Sequence, residues 1–120
     1  MARGPGIIAY LEAGLRATGL RGKVIANNIA NLHTPKFRRG EVRFEELLAR
    51  AMASGGQGDL DGLRPEVRQP QSTPVDARGN DVELDVEIGE MVENGARSKV
   101  YLRTLAKLYS QMELAMRDKL

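Results

Sequence analysis

The fold is decided by the C-terminal third of the chain, residues 80–118, which read NDVELDVEIGEMVENGARSKVYLRTLAKLYSQMELAMRD. Apolar or small side chains recur there at alternating steps of four and three, the spacing of a helix face that packs lengthwise against another helix. Asn80 is a suitable N-cap, and Glu83 three residues later completes a variant of the capping box. The pattern predicts one helix over 81–118, roughly 55 Å long at ~1.5 Å per residue. Such a helix needs a partner along its side.

The N-terminal third supplies that partner. A stripe with the same spacing runs from Ile8 to Leu32, and Pro35 ends it because proline disfavours a helical residue before it. We expect a mainly α fold in which the two helices pack as an antiparallel hairpin or coiled coil. The seam residues, predicted to pack subunits together, are Ile8, Leu11, Leu15, Ile25, Ile29, Leu84, Ile88, Met91, Leu102, Leu105, Tyr109, Met112 and Met116.

Three glycines interrupt the first helix. Gly14, Gly19 and Gly22 each cost about 1 kcal/mol relative to alanine in a helix interior. Either the helix is weak and flexible, or the glycines let another backbone approach closely. The sequence leaves both interpretations open.

Charge favours the antiparallel orientation of the two helices. It brings the acidic residues that open the last helix, from Asp81 to Glu87, close to a basic segment that follows the first helix. The basic residues are Lys36, Arg38, Arg39 and Arg43. An exposed ion pair is worth only ~0–1 kcal/mol, so charge supports the hairpin without deciding it.

Between the helices the periodicity is lost. Glu41–Met52 could hold one short helix, and Ser54–Gly62 is rich in glycine and predicts a flexible loop. Prolines at 65, 70 and 74 exclude a continuous helix from 63 to 75, although Glu66–Arg68 could pair as a short strand. Gly79 lies in an expected turn into the last helix.

The chain therefore divides into three parts within one domain. These are an N-terminal helix over 1–35, an irregular middle segment over 36–79 and a C-terminal helix over 80–120. At 120 residues with 4% aromatic residues, the core must be small and built from aliphatic side chains.

Composition argues against several functional classes. The absence of cysteine excludes disulfides and thiolate metal sites, and no apolar run approaches the roughly 20 residues of a membrane span. His33 is the only histidine, and Asp81, Asp85 and Glu87 lack the spacing of a calcium loop. We therefore expect no catalytic site, no metal and no cofactor, and the N-terminus shows no cleavable signal peptide.

One short segment is distinctive. Residues 27–37 read NNIANLHTPKF, which resembles the Asn-Asn-Ile-Ala-Asn-x-x-Thr-Pro segment of bacterial flagellar axial proteins, the rod and hook family. The matching residues are Asn27, Asn28, Ile29, Ala30, Asn31, Thr34 and Pro35. Lys36 stands where many relatives have glycine. Residues 79–87, followed by Glu93 and Asn94, also look like the C-terminal region of the proximal rod members.

The resemblance implies a structural subunit of the proximal rod of the flagellar basal body. Such subunits are exported by the type III apparatus without a cleaved signal peptide and assemble through their terminal helices into the periplasm-spanning rod. The implied partners are other rod subunits, further copies of the same chain, the adaptor FliE, the MS ring and the export gate. It implies neither nucleic-acid binding nor membrane insertion.

Asparagines near a helix end can bond to its free carbonyl groups. The motif therefore either only stops the helix or presents asparagines and the following loop to adjacent subunits. Alternatives for the whole chain are another rod subunit such as FlgC, or a coiled-coil adaptor that does not polymerise. A nucleic-acid module, suggested by the basic cluster Lys36–Arg39, is disfavoured by a net charge of only +2.

Overall fold

The computed structural model describes residues 6–53 and 63–118, so the predicted 54–62 loop lies outside the described residues. The elements are α1 (Gly6–Ala30), β1 (Glu41–Arg43), α2 (Glu45–Ala53), β2 (Glu66–Arg68) and α3 (Leu84–Asp118). The two long helices pack against each other, and the shape is elongated, 67 Å in its longest dimension. The prediction of a mainly α fold with paired terminal helices is confirmed.

Contacts at three heights show that α1 and α3 run antiparallel. Tyr101 packs over Gly14, the Asn94 side chain donates to the Thr18 carbonyl at 2.9 Å, and Glu87 reaches Asn28 near the end of α1. A Cβ at Gly14 would lie 2.5 Å from Cζ of Tyr101, so this glycine makes room for a side chain of α3 and not, as the second interpretation expected, for another backbone. Gly19, by contrast, has nothing within 4 Å of its Cβ position.

A second side of α1 carries a small apolar core. Ala13 and Ala17 are buried against Phe44, the residue between β1 and α2, and Leu48 and Leu63 pack onto this cluster. The alanines let the Phe44 ring sit directly on the helix backbone. Because α1 has α3 on one side and Phe44 on another, its seven buried residues extend well beyond one stripe.

The middle segment contributes one antiparallel strand pair. In the β1–β2 ladder Val42 faces Val67, and Glu41 and Arg43 face Arg68 and Glu66. Both outer pairs are also ion pairs, at 3.0 and 3.2 Å. The predicted strand at 66–68 is therefore present, and because 41–43 pairs with it, the predicted short helix begins only at Glu45.

The start of α3 corrects the sequence prediction. The helix begins at Leu84, and Glu83 supplies the first carbonyl, which accepts from the Glu87 amide at 3.0 Å. Asn80 is not its N-cap, because its Oδ1 accepts instead from the amide of Val82 at 2.7 Å in a turn. Residues 80–82 are buried, and Asn80 and Asp81 are held by hydrogen bonds to residues between 31 and 39, so these tertiary contacts override the capping preference of Asn80.

The first helix also ends earlier than expected, at Ala30, with a turn over 31–33 before Pro35. Within residues 6–53 and 63–118, no helix combines the length and apolar character that crossing a membrane requires.

Candidate functional site

The centre of the distinctive motif is a buried asparagine. Asn28 is fully buried, and its Nδ2 donates both to the Gly40 carbonyl at 2.9 Å and to Glu87 Oε1 at 3.0 Å. Its Oδ1 accepts from the Gly40 amide at 2.9 Å. One side chain on α1 therefore holds both the loop before β1 and the first turn of α3. An apolar residue could make none of these bonds.

Glu87 is the partner on α3, and it is also fully buried. Its Oε2 accepts from Nε of Arg39 at 2.7 Å, and Arg39 also lies 3.5 Å from Glu41. Burial by itself lowers the pKa of Arg39, but the hydrogen bond and negative charge of Glu87 outweigh it, so the pKa is raised overall. The guanidinium thus stays charged and compensated inside the protein.

A second buried ion pair lies beside the first. Asp81 accepts from Nε of Arg38 at 3.1 Å and from the backbone amide of Arg39 at 2.6 Å. Its side chain has no exposed surface, whereas that of Arg38 keeps 24%. The predicted attraction between the basic segment and the acidic start of α3 is therefore present, in a buried rather than exposed form. Both arginines of the proposed nucleic-acid cluster are committed to these pairs.

Asn80 ties the end of the motif to the loop that precedes α3. Its Nδ2 donates to the carbonyls of Asn31 and Thr34 at 2.9 and 2.8 Å. Within the motif, Thr34 Oγ1 donates to Asn31 Oδ1 at 3.0 Å, and Asn31 Nδ2 donates to the Asn27 carbonyl at 2.8 Å. These bonds satisfy carbonyl groups that the end of α1 leaves free.

The turn before α3 fits closely against the residue after Pro35. Lys36 has a left-handed φ of 66°, which an L residue adopts at some cost, and its amide donates to the Arg78 carbonyl at 2.9 Å. Asp76 accepts from the amides of Asn80 and Arg78, and these bonds hold the pKa of Asp76 below its usual value. Glycine at position 36 would adopt this backbone without strain.

The motif therefore connects the two ends of the chain and does more than stop a helix. Asn28 is buried and cannot reach an adjacent subunit, so the hypothesis that the asparagines contact neighbours is wrong for this residue. Ile29 is half-buried, whereas Asn27, Ala30, Thr34 and Pro35 are exposed. A contact between these exposed positions and another subunit stays a prediction.

The predicted stripe on α1 is largely used within the chain. Leu11 and Ile25 are buried, and Ile8, Leu15 and Ile29 are half-buried. The α1 residues of the predicted seam therefore lie at or beside the contact with α3.

The predicted stripe on α3 is mostly exposed to solvent. Leu105 is buried, but the other seven positions are between 41% and 69% exposed: Leu84, Ile88, Met91, Leu102, Tyr109, Met112 and Met116. The expectation that the two stripes face each other inside one chain is thus wrong over most of α3. Glu87, Asn94 and Tyr101 face α1 instead, because their bonds and contacts with Asn28, Thr18 and Gly14 fix the rotation of the helix.

These inward residues were missed by hydrophobicity alone. Glu87, Asn94 and Tyr101 are spaced by seven residues, so they formed a second helical repeat that the sequence already contained. Because Glu87 and Asn94 are polar, this repeat does not appear in the hydrophobic pattern. Asn28 offers Glu87 a hydrogen-bond partner and Thr18 offers one to Nδ2 of Asn94, whereas the buried Oδ1 of Asn94 has none.

A polar cleft of about 300 Å³ lies between α1, β1 and α3. Its walls carry opposite charges that pair with each other: Glu45 bonds to Arg21 at 2.8 Å and to Arg97 at 3.1 Å. In the parts of the chain that the structure describes, no group of three His, Cys, Asp or Glu side chains is placed to hold a metal ion. His33 lies in an exposed turn.

A long helix pair that leaves an apolar stripe exposed is typical of a structural protein that packs against other chains. No family model matches the sequence. The chain is similar to the flagellar basal body rod protein FlgB of Bacillus subtilis (strain 168), with 28% identity over 74% of this chain and 76% of that protein. It is 31% identical to FlgB of Borrelia hermsii over 67% of this chain and 73% of that protein.

A third relative, FlgB of Borreliella burgdorferi, is 23% identical over 86% of this chain and 90% of that protein. The chain belongs to the FlgB family of flagellar basal body rod proteins, which are structural subunits of the flagellum.

Proposed function

We propose that this chain is a subunit of the proximal rod that assembles through its two terminal helices. The observation that carries the proposal is the stripe on α3, which keeps seven large side chains at least 41% exposed. It runs from Leu84 to Met116, roughly 48 Å at ~1.5 Å per residue. Exposed apolar side chains spread over this length of a helix mark a protein contact site.

The apolar surface of this stripe supplies part of the free energy of assembly. Burying a whole aliphatic side chain contributes about 1.5–3 kcal/mol, so covering the exposed half of seven side chains contributes roughly 5–10 kcal/mol. Gly95 lies in the same stripe with nothing within 4 Å of its Cβ position, so a neighbouring helix can approach closely there. The half-buried Ile8, Leu15 and Ile29 on α1 add to the apolar surface of the helix pair.

Family membership supports the finer points. We propose that the subunit is exported through the type III apparatus without a cleaved signal peptide and joins the periplasm-spanning rod. Its partners are other rod subunits, further copies of itself, FliE, the MS ring and the export gate. The mass of the subunit recovered from purified basal bodies tests the export proposal, because a mass below that of the full chain would contradict it.

The assembly proposal is tested by Leu102→Asp, with Ser110→Asp as the control on the same helix. Leu102 is 57% exposed and Ser110 is exposed outside the stripe, so neither change disturbs the core of the monomer. We expect both monomers to keep wild-type helicity by circular dichroism. Only Leu102→Asp should abolish rods in electron micrographs of basal bodies, and swimming with it.

Normal rods and normal swimming in the Leu102→Asp strain would overturn the assembly proposal. Loss of rods in both strains would also count against it, since charge anywhere on α3 would then be enough to block assembly.

A further inference from the structure

The face of α3 opposite α1 carries exposed apolar residues outside the predicted stripe. Val92 is 69% exposed and Val100 is 62% exposed, and Ala96 lies midway between them, four residues from each. Beside Ala96 and Val100 is a shallow apolar hollow of about 430 Å³, which Tyr101 also lines. The intrachain contacts of α3 leave this face to solvent.

The same face carries charges of both signs. Glu93 and Lys99 lie three residues from Ala96 on opposite edges of the face, Asp85 and Lys107 lie eleven residues from it on either side, and Arg103 lies seven residues from it. Spacings of three, four, seven and eleven residues return to one side of an α-helix, so all these residues share the face of Ala96. All of them are exposed.

We infer that this face binds a second copy of the chain in an antiparallel, two-fold contact centred on Ala96. A two-fold axis at Ala96 places Val92 of each copy against Val100 of the other. It also places Asp85 of each copy opposite Lys107 of the other. Such self-complementarity is what an isologous interface requires.

The centre of the contact suits close packing of two helices. Ala96 meets its own symmetry mate on the axis, and a methyl group there allows a short distance between the helix axes. At a crossing angle of about 20°, the distance between the helices grows slowly enough for the outer charges to remain paired.

This contact goes beyond the proposed rod assembly and uses a different side of α3. The stripe from Leu84 to Met116 is not part of it and stays free. Because a two-fold contact closes on itself, it pairs two unassembled copies and cannot extend into a filament. Only one helix of each copy takes part, so the interface is at the small end of the range for specific complexes.

Disulfide trapping tests this geometry, because the chain has no cysteine of its own. The test variant is Ala96→Cys, and the matched control is Ala106→Cys on the same helix. Ala106 lies ten residues from the axis, so its two copies would be about 30 Å apart, whereas a disulfide needs Cα atoms within about 7 Å. Both positions are exposed, so each variant folds as the wild type does.

Under the same oxidant and protein concentration, Cys at position 96 should form a covalent dimer about tenfold or more faster than Cys at position 106, since the contact raises the local thiol concentration. Equal rates for the two variants would overturn the inference. Higher salt should slow trapping at position 96, because it screens the paired charges.

A charge exchange tests the pairing independently of the cysteine geometry. In the Ala96→Cys background, Asp85→Lys and Lys107→Asp should each slow trapping, and the two changes together should restore it. Both residues are exposed, and circular dichroism checks that helicity is kept. If the double variant traps as slowly as the slower single variant, the antiparallel pairing is wrong.

Discussion

Replacing Glu87 tests whether buried polar contacts, and not the small apolar core, fix how α3 packs on α1. The carboxylate accepts hydrogen bonds from Arg39 at 2.7 Å and from Asn28 at 3.0 Å, and it has no exposed surface. The Arg39 side chain is 11% exposed, so the loss of Glu87 leaves its charge buried without its closest partner. The substitution Glu87→Leu removes both bonds while keeping an apolar volume in place.

The expected magnitude follows from that burial. Removing one partner of a buried ion pair costs about 3–5 kcal/mol, because the remaining charge stays desolvated. Glu87→Gln keeps an oxygen acceptor but loses the charge, so it should cost about 1–3 kcal/mol. The matched control is Glu45→Gln, which alters an ion pair whose carboxylate side chain is 39% exposed and should cost at most about 1 kcal/mol.

The assay is the free energy of unfolding from urea titrations followed by circular dichroism at neutral pH. We expect the order of destabilisation to be Glu87→Leu, then Glu87→Gln, then Glu45→Gln. The double variant Glu87→Leu/Arg39→Leu should be more stable than Glu87→Leu alone, because it leaves no buried charge unpaired. Equal losses for Glu87→Gln and Glu45→Gln, or no recovery in the double variant, would show that the buried pair does not fix the packing of α3.

Two further predictions concern single positions. Gly14→Ala should destabilise the monomer by about 1–3 kcal/mol because the added methyl group displaces the Tyr101 ring. Gly19→Ala has open space around the added methyl group, so it should stabilise the monomer by about 1 kcal/mol. Thermal melts of the two variants compare these effects. Hydrogen bonds from the amides of Asn80 and Arg78 lower the pKa of Asp76 in the folded protein. The Asp76 carboxylate therefore stabilises the fold fully above the unfolded-state pKa of about 4, and this stabilisation disappears as the pH falls through the folded-state pKa. The stability difference between the wild type and Asp76→Asn should therefore vanish in acid, and a difference that persists below pH ~2 would contradict this assignment.

The structure changes which variants can test assembly. From the stripe alone, Ile25 and Leu105 are as suitable as Leu102 for substitution by aspartate. Ile25 is 3% exposed and Leu105 is 5% exposed, so a charge at either position would unfold the monomer and block assembly for that reason alone. Leu102 lies in the same stripe but is exposed, so its substitution separates folding from assembly.

Much of the fold could be predicted from local pattern. The spacing of apolar residues indicated both long helices, and the prolines at 65 and 70 left only the short Glu66–Arg68 segment between them to form a strand. The motif at residues 27–35 indicated the flagellar axial family. These features depend on residues close together in the chain, so the sequence displays them directly.

The site could be predicted only in part. The attraction between basic residues 36–43 and the start of α3 followed from opposite charge, but its burial did not, because burial depends on what covers the pair. Sequence hydrophobicity also assigned the wrong side of α3 to α1. Buried polar residues such as Glu87 and Asn94 look like surface residues until their partners are known.

Two long helices with apolar stripes could be predicted from the residues alone, because helix periodicity is a local property of the chain. The rotation of α3 about its own axis depends instead on contacts between residues far apart in the chain. Hydrogen bonds from Asn28 to Glu87 and from Asn94 to Thr18 join residues 59 and 76 positions apart. They turn a polar side of α3 inward and leave its apolar stripe exposed, because a buried carboxylate or amide is stable only where its partners are already in place.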